Sequence, residues 1–145
     1  MKVLFIACVL SWPVEGPVVE PYAPIGSWGG HWGIDIGAAP ASPIRSPAGG
    51  SVAFAGSVAG MRTVSIETAS GLRVSLSYLS AIGVGQGDRV ESGQVVGRAG
   101  SAHGADALHM SVRVGGRYVD PLPLLSCRYD LAAGLRLLEP EARAS

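Results

Sequence analysis

The 145 residues include only three histidines, His31, His103 and His109, and these offer the most chemistry. No serine sits in a nucleophile elbow, no glycine-rich loop leads into Lys-Ser/Thr, and no helix carries paired catalytic carboxylates. His31 opens the stretch His31-Trp32-Gly33-Ile34-Asp35, and His109 closes Ala107-Leu108-His109. On a straight strand His31 and Asp35 would stand about 13 Å apart. Two ligands of one metal, with bonds of about 2.0–2.2 Å, stand only a few ångströms apart. The chain must therefore bend between them, and Gly33 is the residue that permits it. Ile34 and Ile36 take one face of the strand that follows, so Asp35 takes the other. The His-x-x-x-Asp pair alone describes a surface-loop hydrogen bond as readily as a metal pair. His109 alone reads as a solvent-facing strand histidine or one capped by a neighbour. Together, two histidines and one carboxylate with no obvious fourth ligand have the composition of an open catalytic zinc site, with one position left for water.

These residues need a scaffold, and composition indicates which. With 48% hydrophobic and 15% charged residues the chain is not a disordered polymer, and its length suits one domain. Eleven basic residues cancel eleven acidic ones, so neither a nucleic-acid footprint nor an acidic tail is present. Glycine (21) and proline (10) are abundant, which favours short strands joined by tight turns. From Trp12 to Gly50, seven prolines exclude a helix and leave short extended pieces and loops. Ser51–Val58, Arg62–Thr68 and Leu72–Leu79 are β-rich, with Ala69-Ser70-Gly71 as a hairpin loop between the last two. The glycines spaced through residues 83–97 keep a period of two and lack the strand-turn-helix context of a dinucleotide site; they are turn chemistry.

Residues 107–114 alternate: Leu108, Met110, Val112 and Val114 point one way, and Ala107, His109, Ser111 and Arg113 the other. Gly115-Gly116 turns the chain into Arg117-Tyr118-Val119. Asp130–Leu138 is the one candidate helix, with Asp130 as N-cap and Leu131, Leu135 and Leu138 in a stripe. The expectation is an all-β fold: an antiparallel β-sheet or sandwich core with a short C-terminal helix. Its parts are an apolar start (1–11), a core domain (12–126) and a C-terminal helical tail (127–145).

No run of about 18 apolar residues is present, so no transmembrane segment is expected. The apolar start reads as a buried first strand; as a secretion leader it is short and lacks a cleavage site. Cys8 and Cys127 are the only cysteines, and their spacing fits neither a metal knuckle nor a redox motif. A bridge between them and two unrelated buried thiols are equally compatible with the sequence.

An ordered series of segments resembles the lysostaphin/LytM-type zinc metallopeptidases, peptidoglycan endopeptidases built on a duplicated hybrid motif, in an actinobacterial-like variant. The series runs from Trp12-Pro13-Val14-Glu15-Gly16 through His31-Trp32-Gly33-Ile34-Asp35-Ile36, Ser42-Pro43-Ile44 and Ala48-Gly49-Gly50-Ser51-Val52. It continues with Gly87-Asp88-Arg89-Val90, Gly93-Gln94-Val95-Val96-Gly97 and Leu108-His109-Met110, and ends at Tyr118-Val119-Asp120-Pro121-Leu122. The resemblance implies a duplicated-hybrid-motif fold, a Zn2+ ion held by His31, Asp35 and His109, and a peptidoglycan peptide as substrate. It also implies an extracellular or cell-envelope location.

Two positions depart from the family pattern. Ala107 stands where a second histidine usually precedes the ligand by two residues, and Tyr78, in Leu76-Ser77-Tyr78-Leu79-Ser80, stands where another histidine usually lies. A phenol can donate a hydrogen bond to an oxyanion but is a poor base at neutral pH. His103, in the loop Gly100-Ser101-Ala102-His103-Gly104, is a candidate to supply the missing function; otherwise it is a mobile loop histidine. Tyr78 and His103 are therefore the candidate catalytic residues, beside an alternative in which a degenerate domain binds wall peptide or regulates a partner hydrolase. A lipoyl- or biotinyl-type carrier is excluded, because Lys2 is the sole lysine.

Overall fold

The computed structural model describes residues 3–4, 9–125, 129–130 and 136–137. The strands are β1 (Val3–Leu4), β2 (Val18–Glu20), β3 (Ala23–Ile25), β4 (Gly29–His31), β5 (Ile34–Gly37), β6 (Pro43–Arg45), β7 (Gly50–Val58) and β8 (Met61–Thr68). They continue with β9 (Leu72–Ile82), β10 (Arg89–Val90), β11 (Val95–Ala99), β12 (Ala107–Val114), β13 (Arg117–Val119), β14 (Tyr129–Asp130) and β15 (Arg136–Leu137). The single turn of helix α1 spans Leu122–Leu125.

Ten strands form one antiparallel sheet with the path β10-β7-β8-β9-β12-β5-β2; β13 adds to β12, and β11 bridges β9 and β6. The expected all-β antiparallel fold is what the chain adopts. Local chemistry sets the registers. Gly115 and Gly116, both at positive φ, close a two-residue turn between Val114 and Arg117, the mirror-image turn that matches strand twist.

The alternation of β8, β9 and β12 is then read out as two faces. Val64, Ile66, Val74, Leu76, Leu108, Met110 and Val112 are buried against Leu10, Ile44 and Val96 in the core. Each such side chain contributes about 1.5–3 kcal/mol when fully buried. A slip of one residue would send every one of them to the opposite face, so the core fixes the register. That register in turn places the polar face.

One irregularity matters for the site. Residues 72–77 of β9 pair with β12, whereas Leu79 to Ile82 pair with β11. Between these stretches Tyr78 is an extra residue: Ser77 faces Thr63 and Leu79 faces Arg62 on β8, with Tyr78 left over at φ 63°. This is a bulge, which bends the strand and re-aims one side chain.

One expectation is corrected. Asp130–Leu138 is not helical at the residues described: Tyr129–Asp130 and Arg136–Leu137 pair antiparallel, and β1 pairs with β14. A glycine at position 134 costs a helix interior about 1 kcal/mol, and the sheet offers the paired residues backbone hydrogen bonds instead. The short helix lies earlier, at Leu122–Leu125. Val114, at the rim beside the Gly115-Gly116 turn, is exposed. Of the apolar start, Val3–Leu4 is extended and Leu10 is buried. Cys8 and Cys127 lie outside the described residues. No helix among the described residues is long and apolar enough to cross a membrane.

Candidate metal centre

Asp35 of β5 and His109 of β12 are direct cross-strand partners, and the same row continues to Ser77 on β9 and Thr63 on β8. His31 arrives separately, as the last residue of the β3–β4 hairpin, and the chain bends at Trp32 and Gly33 to bring it back over Asp35. The expected bend is therefore present, but Gly33 does more than permit it. A Cβ at Gly33 would lie 2.4 Å from the Met110 carbonyl oxygen and 2.8 Å from both Cε1 and Nε2 of His109. No side chain fits between that backbone and the His109 ring.

Three donor atoms meet. Asp35 Oδ1 lies 2.8 Å from His109 Nδ1 and 3.1 Å from His31 Nε2, and the two ring nitrogens are 3.2 Å apart. The edge of a tetrahedron with bonds of about 2.0–2.2 Å is about 3.3–3.6 Å. The spacing of these atoms therefore suits a small tetrahedral cation after slight expansion. The orientation of His31 agrees. Its Nδ1 lies 2.8 Å from the Pro21 carbonyl oxygen, which can only accept, so Nδ1 donates there and Nε2 is the nitrogen turned toward the site. The donor set, two imidazoles and one carboxylate, is one that zinc prefers.

Electrostatics hold these groups ready. Asp35 is 2% exposed. Burial pushes its carboxyl pKa upward, but hydrogen bonds from His103 and His109, with the charges of both rings, outweigh this and leave it below the ordinary value. Burial pushes His109 below the usual histidine value; Asp35 opposes this only in part, so the imidazole is neutral at neutral pH and available as a donor.

His103 joins the cluster. Its Nδ1 lies 2.6 Å from Asp35 Oδ2, and its ring centroid is 5.2 Å from that of His31 and 5.2 Å from that of Tyr78. The loop that carries it is a tight hairpin. Ala102 and Ala105 bridge each other, and His103 (φ 51°) and Gly104 (φ 79°) form the two-residue corner, both left-handed as such a turn requires. Of the four groups, His31, Asp35, His103 and His109 each offer a ligand atom within 4.8 Å of the others.

Tyr78 reaches the same space from the bulge in β9, its ring 6.2 Å from His109. Both Tyr78 and His103 thus hold left-handed backbone, a conformation that costs a non-glycine residue about 1–3 kcal/mol and clusters at functional sites. Ala107, fully buried opposite Gly37, contributes no polar atom.

A groove of about 380 Å³ leads away from the cluster over the polar sheet face, between the Trp32–Tyr118 wall and the Phe54–Met61 side. Trp32 packs on Tyr118 at 5.7 Å and is tied by its indole N–H to the Gly29 carbonyl, whereas Trp28 is fully exposed. Sequence reasoning placed Ser111 and Arg113 on the His109 face but missed the rest of the groove: Ser65, Ser75, Ser77 and Thr63 share its floor, with Arg73 beside Arg113 at the far end. The signal was the alternation itself, which needed the cross-strand register before it showed that three polar stripes lie side by side.

Residues 29–121 match the model of peptidase family M23, and the chain belongs to that family. An uncharacterised protein of Mycobacterium tuberculosis, Rv2891, is 35% identical over 80% of this chain and 51% of its own length. The DD-carboxypeptidase/endopeptidase Mpg of Neisseria meningitidis is 34% identical over 66% of this chain and 23% of its own. The catalytic domain of lysostaphin from Staphylococcus simulans superposes with a TM-score of 0.63 at 28% identity, covering 74% of this chain and 88% of that one. The chain therefore spans about half the length, or less, of the curated relatives it matches. The family is one of zinc-dependent peptidases acting on peptidoglycan, and the His/Asp cluster of this member could hold a metal.

Proposed function

We propose that this chain is a zinc metalloendopeptidase domain that cleaves peptide bonds in peptidoglycan at the cell envelope, with His31, Asp35 and His109 as ligands. The observation that carries the reading is the convergence of three donor atoms, delivered by separate elements, beneath one end of an open groove. What a bound zinc supplies is Lewis acidity toward a carbonyl oxygen and an acidified water.

The remaining work falls to the chain. Asp35 serves twice: Oδ1 faces the metal position, and Oδ2 accepts from His103 Nδ1. That second bond leaves Nε2 as the His103 nitrogen able to take a proton, in the manner of a carboxylate-oriented general base. Tyr78, aimed inward by its bulge, donates its phenolic hydrogen to the oxyanion formed at the attacked carbonyl. The groove accepts an extended peptide, and the Trp32–Tyr118 wall excludes water from one side.

The test is to measure zinc per purified chain, then muropeptide release from isolated peptidoglycan beside an Asp35→Ala control. One zinc per chain, with release that the control lacks, supports the reading; release equal to the control overturns the enzyme. The second reading, a degenerate domain that binds wall peptide or regulates a partner hydrolase, is favoured by Ala107, which puts a methyl group where the resemblance expects a histidine. Zinc and wall binding without release would establish it.

A further inference from the structure

The polar face beyond the metal cluster is graded. Its rows across β12, β9 and β8 read His109–Ser77–Thr63, then Ser111–Ser75–Ser65, then Arg113–Arg73–Glu67. In the middle row two of the three hydroxyls pair, Ser65 Oγ and Ser75 Oγ 2.7 Å apart. The last row is charged. It sets two arginines directly opposite each other, an arrangement that destabilises a sheet in the absence of a counter-ion.

Glu67 supplies only a weak counter-ion, and only to Arg73. Its Oε1 lies 3.5 Å from Arg73 Nη1 at an exposed position, and such a pair is worth little. Arg113 has no carboxylate partner among the described residues. The Nε–H of Arg73 is enclosed with no acceptor, and it is the one buried side-chain donor without a partner among the described residues. Arg113 stacks its guanidinium over the Tyr118 ring at 5.2 Å and makes no hydrogen bond to a described residue. Stacking fixes the plane of the guanidinium and leaves its N–H edges free, the state in which arginine grips a carboxylate with two parallel bonds. The pair belongs to the wall of the groove that begins at His109, and also borders a second hollow of about 320 Å³ beside Gly71 and Gly115-Gly116.

From these observations we infer that Arg73 and Arg113 form a carboxylate-binding subsite that selects peptides bearing a free carboxylate, and sets the distance from that group to the bond cleaved. His109 and Arg113 share one strand face four residues apart, about 13 Å. An extended peptide spans that length with about four residues, so the carboxylate sits about four residues from the carbonyl at the metal end. The inference rests on the peptidase reading for the nature of the ligand, but not on turnover. A terminal α-carboxylate and an internal one present the same chemistry to the pair, and amidation separates them.

The experiment is calorimetric titration of the full chain, with and without added zinc, using a synthetic wall stem pentapeptide. The peptide is supplied as the free acid, as the C-terminal amide, and with its internal carboxylates amidated. The free acid is expected to bind about tenfold more tightly than whichever amidated form removes the recognised group. That preference is expected to shrink below about twofold in Arg113→Gln and in Arg73→Gln, and to survive in part in Arg113→Lys, which keeps charge but not the fork. Melting temperatures close to that of the unaltered chain establish that the variants fold; if a glutamine variant does not, Arg73→Lys and Arg113→Lys, which keep the charge and lose the fork, give the comparison against the unaltered chain. Equal binding of all three peptides, no binding of any, or a preference that persists in the Arg73→Gln/Arg113→Gln double variant overturns the subsite. Carboxylate preference without muropeptide release from peptidoglycan keeps the subsite and removes the hydrolase. Release without preference does the reverse.

Discussion

The two faces of the central sheet are built from the same strands and obey different rules. On one, Leu108, Met110, Leu76 and Val74 are buried in a continuous core; on the other, one residue along, His109, Ser111, Ser77 and Ser75 line the groove. The apolar face needs volume and shape, which many side chains supply. The polar face needs particular atoms at particular rows. The contrast separates what makes this chain fold from what makes it act, and substitutions on the two faces are expected to fail in different ways.

The largest effect is expected at Asp35, which touches all three histidines. Asp35→Ala removes one donor atom of the cluster and the partner of His103 together. Zinc affinity should fall by more than about 100-fold, and muropeptide release should drop to background. Equilibrium dialysis against zinc and a digestion assay check the two. The unaltered chain stripped with chelator should melt at a lower temperature than its zinc form, because a ligand bound only by the native state stabilises it.

His103→Ala is expected to lower kcat by about 10²- to 10⁴-fold, the range for loss of a general base. Zinc content should stay near that of the unaltered chain, since three donors remain. A chain that loses its zinc with this change would make His103 a fourth ligand and the site a closed one.

Leu108→Ala tests the other face. It should destabilise the fold by about 2–5 kcal/mol, as cavities in close-packed cores do, while the remaining folded fraction binds zinc normally. Urea unfolding measures the first and metal titration at low temperature the second. Gly33→Ala crosses between the faces. Its new methyl meets the Met110 carbonyl and the His109 ring, so something must move. Overpacking of this kind costs about 1–3 kcal/mol, and the ring is the softer neighbour. Zinc affinity should therefore fall further than stability does.

How much of this was legible beforehand follows from the same division. The strands of the middle of the chain and the alternation of β12 could be read because burial repeats with period two. The metal cluster could be proposed because histidine is scarce here, and because the His31–Asp35 spacing forces a bend. Tyr78 and His103 are different. Their arrival depends on a one-residue bulge and on a two-residue turn at positive φ, neither of which leaves a hydrophobic signature. The bulge also decides where β9 leaves β12 for β11, so the position of Tyr78 is a property of the topology as much as of its neighbours. The helix expected over residues 130–138 shows the converse error. A leucine stripe is compatible with a helix, but pairing available elsewhere in the chain overrides local pattern at Asp130, Arg136 and Leu137. The arginine row stayed hidden for a related reason: Arg73 and Arg113 are forty residues apart by their numbers, and only the register makes them neighbours.

The smallest effect is expected in the middle row, and it is the most demanding check of the contrast. Ser75→Ala removes one hydroxyl of the Ser65–Ser75 pair. In a closed core this would strand a buried donor and cost about 1–3 kcal/mol. Here the row faces a groove that water enters, so Ser65 can exchange its partner for solvent, and the loss should stay near or below about 1 kcal/mol. Ser75→Val goes further, placing a branched apolar side chain in the groove floor. It should be tolerated by the fold, since β-branched residues suit strands, yet weaken peptide binding, because the floor loses a hydroxyl and gains bulk where a backbone must lie. Paired unfolding and peptide-titration measurements distinguish the cases. If Ser75→Val costs stability and leaves binding untouched, the hydroxyl rows belong to the core, and the division of labour between the two faces does not hold.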